Sequence, residues 1–232
     1  MILIVDPIKG ELDNTTREYI SKYFPNDDFR VLSLKDGPKT IESFTDKTLA
    51  CSKLLENLNM LEKADAIVVN CFADPCLFEL RENLNIPIFG AGETTMHIAA
   101  MLGEFSVIGP GDNMISWTRI QAREYGVFDK LVSVHKIEFS VEDILEPSGR
   151  LYEVTKDTCI KAINNGADVV VLGCTGFMTI AERLKEEIWE EFHIPVLEPL
   201  LTTYSVARSL SLVFRHGKKG LFSGGRRNES FE

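Results

Sequence analysis

The sequence predicts an α/β protein made of two pseudo-symmetric halves, each a doubly wound parallel sheet of four strands. Three observations predict it. "ADAIVVNC" at 64–71 is nearly rewritten as "ADVVVLGC" at 167–174, which puts Cys71 and Cys174 103 positions apart. The same offset relates "IVDP" at 4–7 to "VIGP" at 107–110, and an offset of 108 relates "IPIFGAGETT" at 86–95 to "IPVLEPLLTT" at 194–203. Throughout the repeat, short apolar runs alternate with amphipathic stretches, the pattern of strands joined by crossover helices.

Taken in order, strands are expected near 2–5, 29–34, 66–70 and 86–89 in the first half. In the second they are expected near 105–109, 130–134, 168–173 and 194–197. Amphipathic stretches at 40–62 and 178–191 are read as helices. Asp74 followed by Pro75 fits an N-cap and first helical residue after Cys71. Thr179 with Glu182 fits a capping box after Cys174. The expected strand order is 2-1-3-4, giving flavodoxin-like halves. The first half spans 1–104 and the second 105–200, with a C-terminal helix at about 201–216 joining the first. Residues 217–232, rich in Gly and charge, read as a mobile tail.

Composition narrows the function. The chain has 232 residues, 44% hydrophobic and 26% charged, with a net charge of −10. An acidic chain of this balance does not suit nucleic acid or an anionic membrane. The N-terminal apolar run stops at Asp6, so it reads as a first strand and not a signal peptide. No apolar run approaches bilayer length. A cytoplasmic protein with a small-molecule substrate is expected. Five cysteines without a secretion signal argue against a disulfide framework. The four histidines show no metal-ligand spacing, so no metal site is expected.

Ligands of open parallel sheets bind beyond the carboxyl ends of the strands. Asp6 with Pro7, Cys71, Gly109 with Pro110, and Cys174 all fall there. The repeat lets the two edges face each other, so Cys71 and Cys174 are expected on opposite walls of one active-site cleft. A single cysteine ending an apolar strand reads as a small buried residue. Two at matched repeat positions read as an acid/base pair. To invert a stereocentre, one base removes the proton from one face and an acid returns one to the other. Both cysteines precede an expected helix N-terminus, which favours thiolate, although Asp74 opposes this beside Cys71. Loop amides can stabilise the carbanion. Cys76 reads as a packing residue, and Cys51 and Cys159 as structural ones.

Two further stretches carry open readings. In "GAGETT" at 90–95, Glu93 and Thr94 either cap the next helix or support the cleft. In "DGPKTIESF" at 36–44, Ile41 and Phe44 either start a helix with a core residue or reach over the cleft.

At "CFADPCLFELRE", "IPIFGAGE", "GCTGF" and "GPKTIESF" the sequence resembles the aspartate/glutamate/hydantoin racemase superfamily, nearest its hydantoin racemase branch. The resemblance spans about residues 1–215. It implies cofactor-independent racemisation with Cys71 and Cys174 as the acid/base residues. It implies that Phe72, Ala73, Thr175 and Gly176 line the site, and that the chain forms a homo-oligomer. Three positions depart from the pattern. Asp6 stands where an Asn is expected, Gly176 where amino-acid racemases carry His, and Cys76 where a Gly is usual. The first two point away from aspartate or glutamate and toward a neutral cyclic ureide, a 5-substituted hydantoin or allantoin. A decarboxylase or isomerase of the same fold, and a two-lobed binding module without catalysis, are the other readings.

Overall fold

The structure is a computed structural model that describes residues 1–10, 13–146 and 148–214. The expected tail at 217–232 lies outside the described residues.

In the first half, β1 (Ile2–Lys9), α1 (Asp13–Tyr23) and β2 (Phe29–Leu34) are followed by α2 (Phe44–Leu55), α3 (Leu58–Leu61) and β3 (Ala66–Val69). Then come α4 (Leu77–Asn83), β4 (Ile88–Gly90) and α5 (Ala91–Leu102). The second half opens with β5 (Phe105–Pro110), α6 (Met114–Glu124), a 3-10 turn at Phe128–Lys130 and β6 (Leu131–Ile137). It continues with α7 (Val141–Leu145), α8 (Gly149–Asn164), β7 (Val169–Leu172) and a 3-10 turn at Thr175–Thr179. It closes with α9 (Ala181–Phe192), β8 (Val196–Leu197) and α10 (Pro199–Phe214).

Each half forms one four-stranded sheet, in the orders β2-β1-β3-β4 and β6-β5-β7-β8. Every pairing is parallel. The central strands are apolar on both faces because helices cover both faces. Ala66–Val69 and Val169–Leu172 are accordingly buried throughout.

The last helix of each half packs on the other half. From α5, Met96 and Ala99 join Phe105, Val107, Val169 and Val171 in one buried cluster. From α10, Leu200, Tyr204 and Ala207 join Ile2, Ile4, Ala66 and Val68. This exchange holds the carboxyl edges of the two sheets against one cleft.

Several local expectations change. The helix expected over 40–62 begins only at Phe44, where Ser43 accepts from the Asp46 amide. It breaks after Leu55, and residues 35–43 form a loop. Thr179 does not cap α9: it ends the 3-10 turn and donates to the Gly176 carbonyl at 3.4 Å. Helix α4 starts at Leu77, two residues later than the Asp74-Pro75 signal implies, after Asp74 and Cys76 both adopt left-handed backbone (φ 49° and 65°). Cys51 of α2 and Cys76 form a disulfide, with Cα atoms 4.6 Å apart. An odd cysteine count argues against a framework of many bridges, but it leaves room for one link between two adjacent helices.

Candidate active site

Parallel β1, β3, β5 and β7 end on one side, and the loops that follow them line one cleft. The cleft encloses about 870 Å³, counting its open mouth. Cys71 and Cys174 both line it, one from each half. Each is partly buried and carries a free thiol.

Backbone fixes both loops. The Asn70 amide continues the β1–β3 ladder to the Val5 carbonyl at 2.8 Å, and Asp74 N closes a turn onto the Cys71 carbonyl at 3.0 Å. In the second half, Gly173 N reaches the Ile108 carbonyl at 2.6 Å. Thr175 Oγ1 donates across the cleft floor to the Asn70 carbonyl at 3.3 Å, tying the two loops together.

Burial keeps both thiols in the protonated form. Burial pushes the Cys71 thiol up to about 12, with Cys174 and Asp74 adding to the shift while the Ala73 amide and Lys47 oppose it. Burial also pushes Cys174 up to about 11, and Glu198 and Glu42 add to that against the Gly176 amide. The expectation that helix N-termini favour thiolate is therefore overturned. The turn after Cys174 is 3-10, α4 starts six residues past Cys71, and desolvation of the anion outweighs single amide donors.

Asp6 is 1% exposed beneath the cleft. It accepts from Asn70 Nδ2, and from Ser33 Oγ at 3.1 Å. Burial nevertheless pushes its carboxyl up to about 7. The fixed anion expected at this position is thus a group poised between charged and neutral at neutral pH. A second carboxylate, Glu42, lines the cleft, and none of the described lining residues is Lys or Arg.

Of the residues singled out from sequence, Asp6, Ile41, Phe72, Ala73, Pro110, Thr175 and Gly176 line the cleft beside the two cysteines. Pro7, Gly109 and Glu93 do not. Pro7 is buried in β1. A Cβ on Gly109 would lie 2.6 Å from Met114 Cε, so this glycine makes room behind a lining residue. Glu93 pairs with Arg81, both well shielded, and belongs to the packing between α4 and α5.

The "GAGE" stretch serves Asp74. This fully buried carboxylate accepts from Gly92 N at 2.9 Å, Glu93 N at 2.6 Å and Tyr125 Oη at 2.8 Å. It therefore caps α5 and not the helix after it in sequence. A Cβ at Gly90 would lie 2.5 Å from Asp74 Oδ1, and one at Gly92 would lie 2.2 Å from the Phe72 carbonyl oxygen. Gln121 Nε2 adds a bond to that carbonyl at 2.9 Å. The Cys71 loop is thereby held from the second half.

Sequence reasoning missed Asn70, Trp117 and Glu42. Asn70 differs from its repeat counterpart Gly173, a signal available in "VVNC" against "VLGC". Trp117 lies one turn into α6, and nothing in the helix pattern separates it from a core residue. Glu42 clasps the opposite half: its carbonyl accepts from Asn113 Nδ2 at 2.9 Å and its carboxylate from Val141 N at 3.4 Å. Among the described residues, one group of three metal-capable side chains stands out, Cys51, Cys76 and Glu79. Its two sulfurs are joined in the disulfide.

Two parallel sheets face one cleft, and a free thiol lines it from each half. The chain belongs to the Asp/Glu/hydantoin racemase family, whose profile matches residues 14–206. It is 28% identical over 179 residues to hydantoin racemase of Paenarthrobacter aurescens, covering 75% of this chain and 74% of that one. Among solved structures it is similar to allantoin racemase from Klebsiella pneumoniae. The TM-score is 0.83 at 25% identity, over 94% of this chain and 91% of the other. An arylmalonate decarboxylase shares the fold at a TM-score of 0.63 and 13% identity, covering 90% and 92%.

Proposed function

We propose that this racemase inverts a carbon-acid stereocentre next to a carbonyl by two-thiol acid/base catalysis, with 5-substituted hydantoins as substrates. One observation carries the reading: a free thiol from each half lines the same cleft, at repeat-matched strand ends. One cysteine, as thiolate, takes the C5 proton. The C–H electron pair moves into the adjacent carbonyl to give an enolate. The other cysteine, as thiol, delivers its proton to the opposite face. The protein ends with the thiolate and thiol exchanged, and a second passage runs in reverse. No cofactor enters this scheme.

The lining supports a neutral substrate. Glu42 disfavours a carboxylate, as does Asp6 when ionised, and no described lining residue offers a cation to hold one. Ile8, Ile41, Met114, Val141 and Leu145 supply an apolar surface for a C5 side chain.

The test uses single enantiomers of 5-alkyl and 5-benzyl hydantoins, allantoin, aspartate and glutamate in D2O. Loss of optical rotation together with loss of the α-proton is expected for the hydantoins. Cys71→Ala and Cys174→Ala are each expected to lose about 10²–10⁴-fold in racemisation. Racemisation that survives either substitution at the wild-type rate refutes the mechanism.

A further inference from the structure

Two polar atoms in the cleft wall have no partner. Asn70 Oδ1 and Trp117 Nε1 are buried and make no hydrogen bond within the protein. Both residues border the cleft. The other buried atoms in this condition among the described residues belong to Thr16, Tyr19, Tyr152 and Thr203, none of which lines it. A buried donor or acceptor left without a partner is destabilising, so two such atoms on cleft-lining residues point to a bound molecule that satisfies them.

Both side chains are held in place. Asn70 donates Nδ2 to Asp6, which sets the direction of the amide and leaves Oδ1 as the spare group. Its backbone N–H is bonded to Val5 and its backbone carbonyl accepts from Thr175. The Trp117 ring stacks on Phe44, with centroids 5.0 Å apart. It also shares an apolar cluster with Ile41, Ala73 and Cys71. The spare groups are an acceptor on one residue and a donor on the other. The matching ligand carries an N–H and a C=O, and in a cyclic ureide these two groups flank the carbon that loses its proton.

We infer that Asn70 and Trp117 read the two groups flanking the reacting carbon: Asn70 Oδ1 accepts the ring N1–H, and Trp117 Nε1 donates to the C4 carbonyl oxygen. This rests on the proposed hydantoin reading and assigns its recognition groups. The Trp117 bond strengthens as charge moves onto that oxygen in the enolate, so Trp117 contributes to catalysis as well as to binding. An amino-acid substrate presents an ammonium and a carboxylate at these places, and no described lining residue is a Lys or Arg that could pair with the carboxylate.

The experiment compares 5-benzylhydantoin with its 1-methyl and 3-methyl derivatives on the wild-type enzyme. The 1-methyl compound loses the N–H and is expected to fall about 10- to 100-fold in kcat/KM, by the cost of an unmade bond at Asn70. The 3-methyl compound keeps N1–H and is expected to stay near the parent. In Asn70→Ala the parent is expected to drop and the 1-methyl penalty to vanish. Trp117→Phe keeps the ring and removes the donor; kcat is expected to fall about 10- to 100-fold with KM little changed. Equal rates for the parent and 1-methyl compounds on wild type, or an unchanged kcat in Trp117→Phe, overturn the assignment.

Binding of 5,5-dimethylhydantoin and its 1-methyl derivative, measured by calorimetry, reads the Asn70 contact without turnover. Weaker binding of the methylated ligand with no racemisation of any hydantoin supports the contact and refutes the proposed reaction. Equal binding overturns the contact whatever the enzyme turns over.

Discussion

Burial holds both cleft thiols protonated at neutral pH, Cys71 at about 12 and Cys174 at about 11. On the proposed mechanism, catalysis by one thiolate and one thiol then uses a minor ionic form of the enzyme. Because each thiol disfavours ionisation of the other, the pair loses one proton well before two. The rate should therefore climb with pH. With a 3-methyl hydantoin, whose own acidic N–H is blocked, log kcat/KM is expected to rise by about one per pH unit from pH 7 to beyond pH 9. A plateau reached below pH 8 contradicts the assignment of the thiols. At this scale the sequence showed the two cysteines, because the repeat marks them twice. It did not show their protonation state, which depends on how much water the folded cleft admits. Nor did it show Asn70 and Trp117, whose unpaired atoms exist only once every neighbour is in place.

Among the elements, the helix order was legible in the alternation of apolar and amphipathic stretches, while the caps were not. "ADPC" reads as a cap for the helix that follows it, yet Asp74 turns into left-handed backbone and caps α5 instead. The donor amides lie 18 and 19 residues away. No local signature spans such a distance. The two glycines of "GAGE" are explained by this cap, since each leaves the space that the Asp74 carboxylate or the Phe72 carbonyl occupies. Gly92→Ala is expected to destabilise the protein by about 3 kcal/mol, because a Cβ there meets backbone that cannot yield. Its melting temperature measures this, and an unchanged value refutes the close approach. The Cys51–Cys76 link has no local signature for a similar reason: it joins neighbours whose adjacency follows from the sheet order and not from cysteine spacing.

Across the whole molecule, the order 2-1-3-4 expected of a doubly wound α/β half holds in both sheets. Three carboxyls lie under cover, and burial pushes Asp6, Asp74 and Glu198 each up to about 7. Unfolding returns them to values near 4, so between about pH 4 and pH 7 the native state holds more protons than the unfolded chain. Their contribution is fully present below that window and is lost as pH rises through 7. Denaturant midpoints are thus expected to fall from pH 5.5 to pH 7.5, and Asp74→Asn to flatten the slope. A midpoint that rises over this interval contradicts the carboxyl shifts. The two halves are also unequal where they meet the substrate. Cys174 faces Glu198 and Glu42, whereas Cys71 faces Asp74 and Lys47. Interconversion of mirror images has an equilibrium constant of one, so kcat/KM must be identical for the two enantiomers. The unequal walls are then expected to make kcat and KM both larger for one enantiomer, by the same factor. Progress curves started from each pure enantiomer measure that factor, and a value of one means that the two proton donors have become equivalent once substrate is bound.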